Sequence, residues 1–226
     1  MANPVFQPVR KLSLRNGVKC IGYGAPGSGK TPMIKTAPRP VILLCEPGAM
    51  SLRDSDIPAC EAFSVPKIDD FFEWLKKSSE AKKFDTLCVD SVSQMAETSL
   101  KLQLGKFKDG RKAFGEMSRH IMGHLEDLFF MPEKHIYLIA KQGLFDESGV
   151  TVKRPFFPGQ DLNVKVPHLY DGVFHLGRYN VPGVMGETDA VRTRSTVDTI
   201  ARDRSGNLAE LVPPNLTNIF NICMSR

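Results

Sequence analysis

The 226-residue chain has no run of the roughly 18 consecutive apolar residues that a membrane-spanning helix needs. Its first residues, Met1-Ala2-Asn3-Pro4, lack the apolar core of a signal peptide. We therefore expect a cytoplasmic protein with no membrane partner. The sequence also shows no internal repeat, no low-complexity segment and no linker, so we expect a single domain over residues 1–226.

Cysteine is scarce: there are five residues, an odd number, and no C-x-x-C pair. A disulfide framework and a zinc site are therefore not expected, and reduced core thiols of a cytosolic protein are predicted. The net charge of +5 and the pI of about 8.9 are compatible with nucleic-acid binding. They do not reach the strong basic signature of a dedicated nucleic-acid-binding domain.

The strongest motif matches the P-loop pattern G-x-x-x-x-G-K-[ST], with a predicted buried strand before it (17–23) and a predicted helix after it (31–36). The motif residues are Gly24, Ala25, Pro26, Gly27, Ser28, Gly29, Lys30 and Thr31. Its glycines let successive N–H groups point at a phosphate, and the positive end of the following helix adds attraction. Lys30 is expected at the β- and γ-phosphates and the Thr31 hydroxyl on Mg²⁺.

Pro32 departs from the usual loop because it has no backbone N–H to donate. Proline is tolerated in the first helical turn, but the amide at this position commonly contacts the α-phosphate in P-loop proteins. We therefore expect the α-phosphate to be held less tightly and the nucleotide affinity to be modest.

Two further apolar runs end in an acid. Residues 41–45 are followed by Glu46, and residues 84–89 by Asp90. Continuous apolar runs are typical of strands buried on both faces of a parallel sheet, and open α/β sheets bind ligands at the carboxyl ends of such strands. An apolar strand that ends in Asp is the Walker B pattern, whose acid holds Mg²⁺. As a metal ligand Asp90 would join Thr31; the alternative is a structural cap.

The remaining core segments are predicted as a strand at 62–65, helices at 69–77, 92–104 and 114–130, and a strand at 134–140 that ends at Lys141-Gln142. That polar pair fits a γ-phosphate sensor or a strand-end turn. Residues 105–112 are predicted as a basic loop that fits single-stranded DNA, through phosphate contacts and base stacking, or a solvated surface. Its candidate DNA-binding residues are Lys106, Phe107, Lys108, Arg111 and Lys112.

From Gly143 onward the segments shorten, which predicts an antiparallel extension with strands at 174–179 and 191–201. Residues 202–206 are expected at a strand end. The tail, 213–226, is predicted as a short helix or arm packed on the body or on a neighbour, and residues 1–16 as a lead-in strand or arm. The predicted fold class is α/β, with a mostly parallel central sheet flanked by helices.

This order of signals resembles the RecA-type P-loop ATPase core. It is most similar to the small phage-encoded ATPases that act as single-strand annealing recombinases, the fourth Sak type. The resemblance spans roughly residues 17–212 and is carried by residues 24–31, 44–52, 87–91, 157–160 and 200–208.

The resemblance implies a role for each matched residue. Glu46 would polarise the attacking water, Asp90 would be the Walker B acid, and Gln142 would couple the γ-phosphate to the DNA-binding loops. Arg202 and Arg204 match a basic-x-basic pair that reaches the neighbouring subunit's nucleotide. That pair is more often Lys-x-Arg, but arginine keeps the charge.

The resemblance also implies the cofactors ATP and Mg²⁺, the partner single-stranded DNA, and a homo-oligomer, either ring or filament. A phage single-strand-binding protein is a further implied partner, and the bacterial host cytoplasm the implied location. The function implied is that of a DNA-dependent ATPase, slow alone, in recombination by strand annealing.

Two departures bear on hydrolysis: Leu44 stands where the family often has an acid, and Pro47 where glycine is common. We therefore expect slower hydrolysis rather than lost binding. Two alternatives stay open. One is a nucleotide-gated structural or regulatory subunit that barely hydrolyses ATP, which Pro32 and Leu44 favour. The other is a small P-loop kinase, although such kinases usually carry an arginine-rich lid where this chain is β-rich.

Overall fold

A computed structural model describes residues 6–8 and 16–225, and this part of the chain is built around one mixed sheet. Most of the predicted lead-in arm, residues 1–5 and 9–15, lies outside the described residues. The strands are, in chain order, β1 (Lys19–Gly24), β2 (Pro40–Leu44), β3 (Ala59–Glu61), β4 (Thr86–Asp90), β5 (His135–Glu147), β6 (Val150–Phe156), β7 (Gly172–Asn180), β8 (Glu187–Arg192), β9 (Arg202–Asp203) and β10 (Leu211–Val212).

Helices cover both faces of the sheet. The α-helices are α1 (Val65–Lys77), α2 (Val92–Lys106), α3 (Gly110–Phe130), α4 (Gln160–Leu169) and α5 (Leu216–Met224). Short 3-10 helices occupy Pro32–Thr36, Ala49–Leu52 and Glu80–Lys83. No helix in the described part of the chain is long and apolar enough to cross a lipid bilayer.

The sheet order is β10-β8-β7-β1-β5-β4-β2-β3, with β6 added to β5 and β9 added to β7. All pairs from β7 through β1, β5, β4 and β2 to β3 are parallel, whereas β6, β8, β9 and β10 pair antiparallel. The strand before the P-loop and the strand that ends in Asp90 are therefore separated by β5. This is a RecA-like core with antiparallel strands late in the chain, and the predicted fold class is confirmed.

Each central strand sends alternate side chains into two separate cores. Val41 and Leu43 pack under α1, α2, α3 and α4, whereas Ile42 and Leu44 pack under the first two 3-10 helices and α5. Because both faces are covered, β1, β2, β4 and the start of β5 are buried along their length. This double burial is the reason that the apolar runs of the sequence are continuous rather than alternating.

Of the alternatives predicted for the tail, the structure has a short helix packed on the body. Leu216, Ile219 and Phe220 of α5 are at most 1% exposed. The backbone N–H of Leu216 donates to the Thr36 hydroxyl at 2.8 Å, and the Thr217 hydroxyl donates to the Thr36 carbonyl at 2.6 Å. The last helix is thereby fastened to the segment that follows the P-loop.

Two predicted strands lie elsewhere. The strand expected at 62–65 is instead β3, Ala59–Glu61, because α1 already begins after its N-cap position at Ser64, and Pro66 takes a first-turn position where proline is favoured. The strand expected at 191–201 ends at Arg192. Beyond Arg192 the backbone no longer pairs as a strand of the sheet, and some of its N–H groups bond to side chains instead. The Ser195 hydroxyl, for example, accepts a hydrogen bond from the Ala201 N–H at 3.0 Å.

The predicted end of β5 and the predicted basic loop also differ. β5 continues without a break through Lys141 and Gln142 to Glu147, because β6 pairs with this half of the strand. The two residues are therefore within a strand and not at its end. In the basic segment, α2 ends at Lys106 and α3 begins at Gly110 with Asp109 as its cap, so only residues 107–109 form a loop.

Candidate active site

Three glycines at the end of β1 and in the loop after it are required for two different reasons. Gly27 and Gly29 have φ of +80° and +86°, in the left-handed region. A Cβ on Gly24 would lie 2.3 Å from the Leu176 carbonyl oxygen of β7, which is closer than real side chains come. The Ser28 N–H donates to the Ala25 carbonyl at 3.2 Å and closes the turn. Glycine is thus required at 27 and 29 by the backbone conformation, and at 24 by the close packing of β1 against β7.

The helix expected after the loop is a single 3-10 turn of five residues, Pro32–Thr36, with Thr31 as its N-cap. Its inner side chains, Met33 and Ile34, are buried in the core. A turn this short has little of the macrodipole that a long helix sums along its axis. The attraction for an anion therefore comes from the loop amides and from Lys30, not from a helix.

Lys30 lies folded over the loop. Its Nζ donates to the Gly24 and Ala25 carbonyls, both at 2.8 Å, and to the Ser28 hydroxyl at 3.3 Å. Partial burial lowers the pKa of Lys30, and the negative charges of Asp90 and Glu46 oppose that shift. To reach a phosphate oxygen, the ammonium exchanges loop carbonyls for a charged acceptor, which makes a stronger hydrogen bond.

Thr31 and Asp90 meet directly: the Thr31 hydroxyl donates to Asp90 Oδ2 at 2.6 Å. Asp90 closes β4 and is 7% exposed. Burial raises the pKa of Asp90, as does nearby Glu46, while the Thr31 hydroxyl and Lys30 oppose the increase. Asp90 forms no ion pair with any described residue, and a hydroxyl beside a buried carboxylate offers oxygen donors of the kind that Mg²⁺ prefers. The residues present therefore fit this metal.

Glu46 reaches the same edge of the sheet from the neighbouring strand. β2 and β4 are in register, with Leu44 opposite Asp90, so Glu46 lies just beyond Asp90 at this edge of the sheet. Its Oε1 accepts a hydrogen bond from the Ser91 hydroxyl at 2.8 Å. Glu46 is half-buried and keeps a solvent path, as a residue that polarises water must.

Sequence reasoning missed His175, which joins Gln142 to the loop region. The His175 Nε2–H donates to Gln142 Oε1 at 2.9 Å, and Nδ1 is hydrogen-bonded to the Tyr179 hydroxyl. The Tyr23 ring, one residue before the loop, lies 5.0 Å from the imidazole, edge to face. The sequence offered no signal for this chain of contacts, because β5 and β7 are brought together only by β1 between them.

Lys141 and Gln142 separate, because successive side chains of a strand point to opposite faces. Gln142 faces His175, whereas Lys141 Nζ bonds to Gln94 Oε1 at 2.9 Å and Glu97 Oε2 at 2.7 Å on α2. Only one member of the predicted polar pair therefore lies beside β7.

Arg202 and Arg204 lie at the other end of the sheet from the loop of their own chain. β9 pairs with the first residues of β7, Arg202 opposite Val173, whereas the loop follows the last residue of β1. Arg202 donates to carbonyls at 167 and 170. Arg204 binds Asp171 Oδ1 at 2.8 Å and the His168 carbonyl at 3.0 Å, and its side chain is 47% exposed. Neither contacts the loop within one chain.

The candidate DNA-binding residues form a basic segment at the turn between α2 and α3. Lys106, Lys108, Arg111 and Lys112 are exposed. Phe107 is half-buried, and Lys112 Nζ lies 4.5 Å from the centre of its ring. The segment presents cations around one aromatic face, and that face already carries a cation–π contact.

A protein-family model described as an AAA domain, AAA_24, matches residues 16–156. That stretch contains the loop, Glu46, Asp90 and Gln142. No curated protein sequence matches the chain. Among solved structures, it is similar to the KaiC-like protein PH0186 of the hyperthermophilic archaeon Pyrococcus horikoshii OT3, with 16% identity and a TM-score of 0.49. The match covers 83% of this chain and 84% of that one.

Proposed function

Because the chain belongs to the AAA domain family, we propose that it binds and hydrolyses ATP with Mg²⁺, binds single-stranded DNA and promotes its annealing as an oligomer in phage recombination. One observation carries the nucleotide part of this proposal. The Thr31 hydroxyl and the Asp90 carboxylate share a 2.6 Å hydrogen bond directly behind Lys30, with Glu46 on the next strand. Phosphoryl transfer needs positioning and charge neutralisation more than covalent chemistry, and these groups can supply both.

Each side chain has a separate task. The loop N–H groups and Lys30 would hold the phosphates, while Thr31 and Asp90 would hold the metal. Bound Mg²⁺ would supply neutralisation of the charge that develops on the phosphate oxygens. Glu46 would orient and polarise a water molecule, its own position fixed by the Ser91 hydroxyl.

Two variants and a matched control test the nucleotide site. We expect Lys30→Ala to weaken ATP binding about 10- to 100-fold, since it removes a charged hydrogen-bond donor. Glu46→Gln should bind ATP normally and lose about 10²- to 10⁴-fold in turnover. Lys35→Ala is the control, because the Lys35 ammonium pairs with Asp54 on the surface and not with a residue of the loop. Isothermal calorimetry and phosphate release would measure both quantities. Equal ATP affinity in Lys30→Ala and Lys35→Ala would refute the site.

The DNA part of the proposal is supported by the resemblance and by the exposed cations around Phe107. Lys108→Ala and Arg111→Ala should weaken binding to single-stranded DNA. Each should also lower the slope of log K against log salt by about 0.7 if it removes one phosphate contact. Lys83→Ala, an exposed lysine of a different segment, should leave the slope unchanged. Filter binding across a salt series, with and without ATP, measures this. Salt-independent binding would contradict it.

The placement of the two arginines supports the proposed assembly. Since Arg202 and Arg204 lie at the far end of the sheet from the loop of their own chain, any contact that they make with ATP would be with the ATP of another copy. Arg204 is the more available, because it is half-exposed. An arginine supplied in trans contributes about 10³–10⁵ in rate.

A mixing experiment separates this role from a structural one. Arg204→Ala and Lys30→Ala subunits should each be inactive, but a mixture should regain activity, because intact sites receive Arg204 from the Lys30→Ala copy. If Arg204 acts only by holding Asp171 in its own chain, the mixture stays inactive.

A second candidate, a nucleotide-gated subunit with little hydrolysis, is favoured by one feature. Pro32 removes an amide at the start of a helix that is only one short turn. Turnover that stays negligible with DNA present, together with measurable ATP binding, would favour this candidate. A kinase is less well supported, because residues 172–212 carry strands where such enzymes carry a lid.

A further inference from the structure

Three side chains that the nucleotide site does not use converge between α1 and α3. Asp69 lies in the first turns of α1, and His120 and His124 lie one turn apart on α3. Asp69 Oδ1 is 2.8 Å from Nε2 of both histidines, and the two Nε2 atoms are 3.1 Å apart. Among the described residues, this is the one group of histidine, cysteine and acidic side chains close enough to share a metal ion.

Neighbouring groups hold both rings in this orientation. His120 Nδ1 is 2.9 Å from the Ser99 hydroxyl on α2, and His124 stacks on Phe72 with ring centres 4.0 Å apart. A Ser99 oxygen that accepts the Nδ1 proton leaves Nε2 of His120 with a free lone pair. Metal-bound histidines are usually fixed in this way through their second nitrogen.

We propose that Asp69, His120 and His124 bind a divalent transition-metal ion, with Zn²⁺ the best fit. Zinc takes imidazole nitrogen and carboxylate oxygen at about 2.0–2.2 Å, so tetrahedral donors lie roughly 3.3 Å apart. The observed separations of 2.8–3.1 Å require the three donors to move outward by a few tenths of an ångström. Two nitrogen donors disfavour Mg²⁺ and Ca²⁺, which prefer oxygen.

Burial determines what the site can do. His120 and His124 are 21% and 13% exposed, whereas Asp69 is 46% exposed, so the open side faces solvent beside the carboxylate. A water molecule there would complete four ligands. Because the donors come from two helices that are distant in sequence, the ion would tie α1 to α3 and bind the folded chain only. Its effect is therefore on stability.

The test uses the purified full chain, stripped with a chelator and then dialysed against Zn²⁺. Excess Mg²⁺ is present throughout, so that it competes with Zn²⁺ for Thr31 and Asp90. Elemental analysis should find one zinc per chain. At about 100 times the dissociation constant, Zn²⁺ should raise the melting temperature by about 5–10 °C. Co²⁺ in its place should give the intense visible absorption of a four-coordinate ion.

Two variants remove ligands and two are controls. Asp69→Asn and His124→Gln should lose the bound ion and the shift in melting temperature. Asp70→Asn and His168→Gln should keep both, since Asp70 and His168 are exposed residues outside the cluster. If His124→Gln fails to fold, Asp69→Asn decides, because asparagine keeps the size and an acceptor oxygen. A stripped protein that takes up no zinc, or an equal shift in Asp69→Asn, overturns the proposal. Zinc lost only on replacing Cys60 or Cys223 also overturns it.

Discussion

His175 should remain uncharged in the folded protein well below neutral pH. Its Nε2–H donates to Gln142, and its Nδ1 is bonded to the Tyr179 hydroxyl, so the neutral ring has both nitrogens satisfied. Burial, reinforced by the positive charges of Lys153 and Arg192, lowers the pKa of His175 from 6.5 to about 4. A second proton on this ring would force the Tyr179 hydroxyl to change from donor to acceptor and would add a charge among cations.

The sign of the effect follows from linkage. Below about pH 6.5 the unfolded chain takes up a proton on this imidazole and the folded chain does not, so stability falls as the pH drops toward 4. Between about pH 7.5 and pH 5 the loss from this one group is about 2 kcal/mol. Above pH 6.5 the contribution is complete.

Urea unfolding of the wild type and His175→Gln at both pH values isolates this contribution. The variant should be less stable at pH 7.5 by about 1–2 kcal/mol, because hydrogen bonds are lost. Between pH 7.5 and pH 5, the free energy of unfolding of the variant should fall by about 2 kcal/mol less than that of the wild type. Other buried histidines, such as His135, titrate in both proteins and cancel. An identical pH dependence in the two proteins would refute the reasoning.

Three other substitutions have definite expected outcomes. Gly24→Ala should destabilise the fold by about 1–3 kcal/mol in urea unfolding, because the new Cβ meets the Leu176 carbonyl. Pro32→Thr should tighten ATP binding about three- to tenfold by calorimetry, since it restores an amide donor. Asp90→Asn should abolish Mg²⁺-dependent hydrolysis and raise the melting temperature at neutral pH in chelator. The sign follows because burial raises the pKa of Asp90, so ionisation as the pH rises costs the folded state stability.

Each of these predictions has an outcome that would contradict it, and Gly24→Ala also has a matched control. Gly123→Ala places the same methyl in open space on α3, where alanine should be neutral or stabilising. If the Gly24 and Gly123 variants were equally stable, the close approach of the loop to β7 would carry no energetic weight. An ATP affinity unaffected by Pro32→Thr would mean that no contact is missing there. A lower melting temperature for Asp90→Asn would show that the Thr31 bond outweighs burial of the charge.

The parallel core could be predicted from the sequence because strands that are buried on both faces have apolar residues at consecutive positions. The apolar runs at β2 and β4, and the acids that follow them, give both the strands and the sheet edge at which Glu46 and Asp90 meet. The helix predicted at 69–77 from its amphipathic pattern, with acids in its first turn and lysines in its last, is α1, which begins four residues earlier.

Features that depend on contacts between segments far apart in the sequence gave no local sequence pattern. Residues 141–147 extend β5 only because β6 lies beside them, and nothing within residues 134–142 encodes that neighbour. The histidines at 120 and 124 have the spacing of one helical turn, which the sequence displays. Their meaning depends on Asp69, which lies 51 residues before His120. The roles of Glu46, Gln142, Arg202 and Arg204 remain predictions, of which the experiments above address those of Glu46 and Arg204.

The attachment of α5 to Thr36 has a consequence for biosynthesis. The N–H of Leu216 binds a hydroxyl 180 residues earlier, so the ribosome makes the phosphate loop long before it makes the helix that braces it. At about 5–20 residues per second, that delay is roughly ten to forty seconds. During this interval the nascent chain displays Met33 and Ile34 without their cover. An incomplete polypeptide should therefore not yet bind nucleotide. Unfinished chains would then not join any assembly that requires bound ATP.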